Sequence, residues 1–409
     1  MRSVVSLHRR QAWWPRRRTA VSGGTVGGVV CGGCYQGLGI IRSLGRRGIP
    51  VCVIDDERSI GRFSRYATHA VHVDDLRDEG RTVQTVLDVG ERLGLDGWVL
   101  YPTREEMVVA FSRHRSDLAR RFRVPTPAFD TVQWAWDKRN TYRLAGDLGI
   151  PAPRTWYPRS EENLEQIPDV PVAVKPAIKE HFIYATKAKA WRADTRSELR
   201  KRFADAAALL PPGEVMVQEI VPGDGRQQFA YCAFFKNGRA VGSMVARRWR
   251  QHPPDFGRAS TYAESWNLPL LEEYSERFLR EIDYYGLVEL EYKLDPRDGR
   301  YKLLDVNPRT WGYHTLGPCA GVDFSYMLYR DQVGLPVEDA RARAGVRWIR
   351  LVTDLPVGAL EILGGRLDWR TYARTLRAVH TESVFSRDDP LPGLFELALL
   401  PYLYVKRGF

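Results

Sequence analysis

Gly286-Leu-Val-Glu-Leu-Glu-Tyr-Lys-Leu-Asp-Pro-Arg-Asp-Gly-Arg-Tyr-Lys-Leu-Leu-Asp-Val-Asn-Pro-Arg309 decides the reading of this chain. Two alternating runs, 287–294 and 301–306, flank the turn Asp295-Pro-Arg-Asp-Gly299, and alternation around a Pro/Asp/Gly turn predicts a β-hairpin. Side chains two apart on a strand share a face, so Glu289 and Glu291 point one way on the first strand and Asp305 and Asn307 share a face of the second. Antiparallel pairing can bring these oxygens to one place. Three or four hard oxygen ligands on a rigid hairpin suit Mg²⁺, which takes one or two carboxylates and completes its octahedron with water and phosphate oxygens. Alternating charges on a strand are otherwise a solvated face. Asp305-Val-Asn-Pro-Arg309 favours a site, because Asn-Pro stops the strand and a fixed cation follows directly.

At 409 residues the chain should hold two to three domains. Its net charge of +11 is uneven: residues 1–20 carry Arg2, Arg9, Arg10, Arg16, Arg17 and Arg18 and no acid. This leader, 1–24, reads as a disordered basic arm, a poorly assigned start, or a surface that meets anionic partners. Its apolar runs are too short for a secretory signal. No stretch approaches ~20 apolar residues, so no membrane span is expected. Without a basic helix or an RNA-module signature, nucleic-acid binding is not expected either. Five cysteines in so long a chain point to a reducing, cytoplasmic setting. Cys31-Gly-Gly-Cys34 has redox or metal-knuckle spacing, but no second pair completes a zinc site, and the pair reads as small buried residues.

Along the chain, a glycine-rich strand (27–34), the turn Tyr35-Gln-Gly-Leu-Gly39, a helix ending at Gly48 and a strand ending at Asp55-Asp56 predict the start of a parallel sheet. Gly33, Gly37 and Gly39 do not have the Gly-x-Gly-x-x-Gly order, although an oxidoreductase reading would use Asp55 as its ribose-binding acid. A strand at 97–101 and a helix at 103–113 complete a first α/β domain over 25–125. Pro125-Thr-Pro127 marks a boundary. There follow a helix from Trp136-Asp-Lys138 capped by Gly149, a strand ending in Lys175, a helix at 197–210 and a strand at 214–221. A hairpin, 228–235 with 239–247, turns at Asn237-Gly238. A polar loop is expected over 248–261, a helix over 271–283, and an α/β extension without assigned chemistry over 336–409.

An Asp-Lys helix ending in Gly-x-Pro-x-Pro, a strand ending in Lys175-Pro176, a Gln218-Glu219 strand followed by Pro222-Gly223, and the Glu…Asp-x-Asn-Pro-Arg hairpin stand in that order behind a small α/β domain. In this the stretch 25–330 resembles the ATP-grasp superfamily, in particular its carboxylate–amine ligase-like and carbamoyl-phosphate-synthase-like members. The resemblance implies α/β and α+β architecture, with a Rossmann-like pre-ATP-grasp domain before a two-lobed ATP-grasp domain at 126–335. It implies that Lys138 and Lys175 contact ATP phosphates, and that Gln218, Glu219, Ile220 and Val221 form the adenine hinge. By the same resemblance Glu291, Asp305 and Asn307 hold Mg²⁺, with Glu289 a weaker candidate. Arg309 faces the transferred phosphate or the substrate carboxylate, and Arg247 steadies an acyl-phosphate. Asp305 stands where these proteins usually have Glu. The phosphate-covering segment, Ile178 to Lys189, contains no glycine, so Lys187 or Lys189 is expected to supply charge in place of backbone cradling. The implied activity is an ATP- and Mg-dependent ligase that joins a small-molecule carboxylate to an amine through an acyl-phosphate, releasing ADP and phosphate. A catalytically silent ATP-binding relative is the alternative. The acceptor stays open among amino acid, amino sugar, peptide and ammonia, and so does the oligomeric state, a homodimer among the options.

Overall fold

A computed structural model describes residues 25–168, 171–253, 257 and 259–407. The basic arm expected over 1–24 lies outside the described residues. The N-terminal sheet is parallel, in the order β3-β2-β1-β4, from β1 (Gly28–Cys31), β2 (Val51–Asp55), β3 (His69–His72) and β4 (Val99–Pro102). β1 and β2 are buried along their whole length, which is why both read as continuous apolar runs rather than alternation. The glycine turn after β1 is closed on itself: the Gly33 amide donates to Asp55, and the Glu57 amide donates to the same carboxylate at 3.0 Å. A Cβ on Gly37 would lie 2.0 Å from the Gly32 carbonyl oxygen, so helix Tyr35–Gly45 packs directly against the turn. Asp55 therefore serves this turn, not a ribose. Cys31 is fully buried, and both it and Cys34 are free thiols.

A second sheet, β5-β8-β6-β7, is antiparallel and consists of β5 (Thr155–Trp156), β6 (Val172–Pro176), β7 (Trp191–Ala193) and β8 (Val215–Glu219). Val174 and Val217 join Leu199 and Phe203 of helix Arg196–Ala207 in a core of its own. The expected glycine-free loop at 178–189 is mostly a helix, Lys179–Thr186, ended by Lys187 in the left-handed region at φ 58°.

The largest sheet runs β13-β12-β9-β10-β11-β15-β16, with β14 beside β10. Its strands are β9 (Gln228–Lys236), β10 (Arg239–His252), β11 (Ala259–Trp266), β12 (Gly286–Leu294), β13 (Tyr301–Asn307), β14 (Ala340–Arg341), β15 (Arg347–Ile349) and β16 (Thr381–Glu382). Asn237 and Gly238 both have positive φ, 53° and 73°, the geometry of a two-residue hairpin turn. One face packs Phe229, Tyr231, Leu290 and Tyr292 against Phe278 of helix Pro269–Glu281. The other packs Ala230, Cys232 and Ala246 toward Trp311, Trp348 and the N-terminal unit.

The polar loop expected over 248–261 is largely strand, since β10 continues to His252 and β11 begins at Ala259. Its charges read as loop because their partners are remote in sequence: Arg250 is buried against Asp354 at 2.8 Å, and Arg248 against Glu291. The C-terminal region extends the same sheet through β15 and β16 and adds helices Leu351–Leu363, Trp369–Arg377 and Leu391–Arg407. Among the described residues no helix is long and apolar enough to cross a membrane.

Candidate active site

The hairpin β12–β13 contains one extra residue. Tyr292 pairs with Leu303 but Glu291 pairs with Asp305, so Leu304 is a bulge. In an unbulged hairpin Asp305 would stand opposite Leu290 and point into the core beneath the sheet. The extra residue reverses the parity of everything after it, setting Asp305 opposite Glu291 and Asn307 opposite Glu289. Four oxygen-bearing side chains thereby share one face, as the hairpin reading expects.

Two carboxylates directly opposed across a strand pair repel, and the surrounding cations answer that charge. Lys138, the first residue of helix Lys138–Asp147, forms an ion pair with Asp305. Arg248 of β10 places Nη2 2.7 Å from Glu291 Oε1 and 3.3 Å from Glu289 Oε1. Asn307 Nδ2 donates to both glutamates at 3.1 Å, and the Tyr313 hydroxyl donates to Glu289 at 2.6 Å. Burial alone would raise Glu291, but Arg248 and then Lys189 more than offset it and hold the group below the usual carboxylate range. Burial, and then the charge of Glu291, raise Glu289.

This donor set fits Mg²⁺. Glu291, Asp305 and Asn307 offer hard oxygens on one face, and Glu291 and Asp305 line an open cavity of about 530 Å³. Among the described residues no three His, Cys, Asp or Glu side chains form a ready metal cage.

The cavity lies between this hairpin and the sheet of β5–β8. Lys138, Lys175, Lys189, Gln218, Glu219 and Val221 line it. Lys175 Nζ donates to Gln218 Oε1 and to the Tyr142 hydroxyl, each at 2.8 Å. Burial, and then the neighbouring Lys138 ammonium, push Lys175 down to about 7. Burial lowers Lys189 as well. The segment 218–221 is tied to the hairpin: Lys302 Nζ lies 3.1 Å from Glu219, and Lys293 donates to the Val221 carbonyl oxygen at 2.9 Å. Glu219 also accepts from the Arg154 amide at 3.0 Å, so its carboxylate already has partners.

Arg309 donates to Glu105 at 2.7 Å and to Asn307 Oδ1 at 3.1 Å. Glu105, from the N-terminal unit, also pairs with Lys179 at the start of helix Lys179–Thr186. The Tyr184 hydroxyl of the same helix donates to Glu106 at 2.5 Å, with the Arg77 guanidinium over its ring at 4.4 Å from the centroid. The structure does not bring Arg247 to this cluster. Strand alternation turns it to the opposite face, where Nε donates to the Arg226 carbonyl oxygen at 3.0 Å and the guanidinium sits 4.0 Å from the Trp249 ring centroid. Its neighbour Arg248 occupies the site instead. Arg248, Lys179, Glu105 and Tyr142 are the site residues that the sequence reading did not find. Lys179, four positions beyond Lys175, and Arg248, beside Arg247, had local signals. Glu105 had none.

A D-aspartate ligase of Enterococcus faecium (strain Aus0004) is 26% identical over 238 residues, which are 54% of this chain and 55% of that protein. The chain thus matches about half the length of this curated relative. Among solved structures, an L-amino acid ligase from Bacillus licheniformis superposes with a TM-score of 0.61 at 15% identity, covering 79% of this chain and 78% of that one. The biotin carboxylase domain of the Hydrogenobacter thermophilus 2-oxoglutarate carboxylase, solved with MgADP, gives 0.61 at 14% identity, covering 78% and 72%. No protein-family profile matches the chain.

Proposed function

We propose, from the ATP-grasp fold that these likenesses give the chain, that it is an ATP- and Mg²⁺-dependent ligase joining a carboxylate to the amine of an amino acid. The observation that carries this reading is the opposed pair Glu291 and Asp305 at a cavity lined by Lys138, Lys175 and Lys189. The names of the D-aspartate ligase and the L-amino acid ligase support the choice of an amino acid as acceptor. Five free cysteines support a cytoplasmic setting.

The substrate carboxylate oxygen attacks the γ-phosphorus of ATP and ADP departs. The amine nitrogen then attacks the acyl carbon, phosphate leaves with the electron pair of the C–O bond, and the proton lost from the nitrogen passes to that phosphate. Held by Glu291, Asp305 and Asn307, Mg²⁺ would supply positive charge to phosphate oxygens. Such a transfer asks the protein for alignment and charge more than for covalent help. Lys175 and Lys189 meet the phosphates with compact ammonium charge. Lys138 keeps Asp305 in place, and Arg248 keeps Glu291 ionised. Arg309, aimed by Glu105 and Asn307, receives the substrate carboxylate or the transferred phosphate. Val221 and Gln218 border the adenine end.

The test is thermal shift with Mg-ATP and with ATP plus EDTA, on the parent and on Asp305→Asn/Asn307→Ala, followed by phosphate release with pairs of carboxylates and amino acids. A ligand at ~100 times its dissociation constant stabilises by about 2.7 kcal/mol. The reading expects the parent to gain this with Mg-ATP and the double variant to lose it. Retention in the double variant, or no shift in the parent, would remove the site from the account.

A further inference from the structure

Two helices of the C-terminal region are built inside out. On helix Leu351–Leu363 the inward side carries Thr353 and Asp354 beside Val357 and Gly358, and Asp354 is fully buried against Arg250 at 2.8 Å. The outward side carries Leu355, Pro356, Ala359, Leu360 and Leu363, at the spacing of one helical face. Leu355, Leu360 and Leu363 are 50%, 57% and 85% exposed. A helix that only served the fold would turn its apolar stripe inward. Helix Leu391–Arg407 repeats the inversion: Glu396 is buried at 2.6 Å from Arg350, while Leu391, Leu394 and Leu397 face out.

A basic helix follows the first of these surfaces after a short turn. Helix Trp369–Arg377 packs through Tyr372 against the buried side of helix Leu351–Leu363, with its ring beside Gly358. Trp369, 61% exposed, opens this helix. Arg370, Arg374 and Arg377 form an exposed stripe along it, and Arg366 lies in the turn before it. Among the described residues none of these four guanidinium groups pairs with a carboxylate. Leucines facing water, an exposed tryptophan and a row of arginines without carboxylate partners are what a helix resting on an anionic bilayer presents. A second copy seated on the same patch would add its own arginines, of like charge, to the interface.

We propose that helices Leu351–Leu363 and Trp369–Arg377 dock the protein on an anionic lipid surface, with the leucines and Trp369 at the headgroup boundary and the arginines on the lipid phosphates. The helices lie on the membrane and do not cross it. None of the leucines or arginines of this surface lines the nucleotide cavity, and the proposal stands or falls separately from the ligase reading.

The experiment is co-sedimentation of the full chain with phosphatidylcholine vesicles, with and without phosphatidylglycerol, at low and high salt. Binding is expected only with the anionic lipid and is expected to weaken with salt. Each arginine near such a surface is worth about fivefold in partitioning, so Arg370→Gln/Arg374→Gln lowers binding by about 25-fold. Leu360→Glu/Leu363→Glu abolishes it, and both variants keep the parent melting temperature because every changed side chain is exposed. Equal binding to neutral vesicles, or none to anionic ones, overturns the proposal. So does an analytical ultracentrifugation result in which the leucine variant turns a dimer into a monomer, since the face would then belong to a second copy.

Discussion

Replacing Arg248 by Met leaves Glu289 and Glu291 side by side in the interior, with Asn307 and Tyr313 as hydrogen-bond partners and the more distant charges of Lys189 and Arg309 to answer them. At an effective dielectric near 20, the contacts at 2.7 Å and 3.3 Å are worth about 6 and about 5 kcal/mol gross. Desolvation of three buried charges consumes much of this, and removing one partner of a buried pair costs about 3–5 kcal/mol net. The cost should depend on pH. Without Arg248, Glu291 loses the charge that holds it low, and the crowded glutamates retain a proton that the unfolded chain, with ordinary glutamates, has released. A group whose folded pKa is raised contributes stability at low pH and loses it as pH rises. The defect is therefore largest at neutral and alkaline pH and shrinks toward the ordinary glutamate range. Thermal melting of Arg248→Met and Arg248→Lys across that window, without ligands, is the assay. The lysine variant should recover part of the loss. A methionine variant that melts like the parent at neutral pH, or whose defect grows as pH falls, refutes the reasoning.

Lys175, near 7 in the free protein, should regain its full charge against a phosphate, so nucleotide affinity is greatest below that pH and falls as pH rises through it, by up to about tenfold per unit. Calorimetric titration of ATP across this range checks it, and Lys175→Met should flatten the profile. Glu105→Gln removes the carboxylate that Lys179 and Arg309 share. Hydrogen exchange in helix Lys179–Thr186 should quicken while that in helix Arg196–Ala207, packed in its own core, stays unchanged.

Several parts of this architecture were legible in the residues because they are local. The hairpin around Asp295–Gly299 and the turn at Asn237-Gly238 state their geometry in four or five positions each. Parity was harder. Alternation says that Arg247 and Arg248 face opposite sides, but not which side holds the carboxylates. That is fixed by the small residues Ala230, Cys232 and Ala246, which share the face of Arg248. Strand β10 was cut short for a related reason. Arg248, Arg250 and Gln251 look like loop until Glu291 and Asp354, over 40 and 100 positions away, are known to receive the two arginines. Segment 178–189 misled through a family expectation: with no glycine to bend it, it formed a helix. Glu105 carried no signal, since its partners Lys179 and Arg309 come from two other parts of the fold.

The bulge at Leu304 also says where this chain tolerates a change in length. Loss of Leu304 would leave Leu303 opposite Tyr292 and Asp305 opposite Glu291, because the residue is surplus to both halves of the ladder. What would go is a patch of cavity wall and the carbonyl oxygen to which the Tyr142 hydroxyl donates at 2.7 Å. Deletion of Val306 offers no such escape: Asn307 would fall into its place and turn toward the core. An evolving lineage could thus drop or regain one codon at 304 and keep its carboxylates aligned, whereas two codons later the same deletion would dismantle the site.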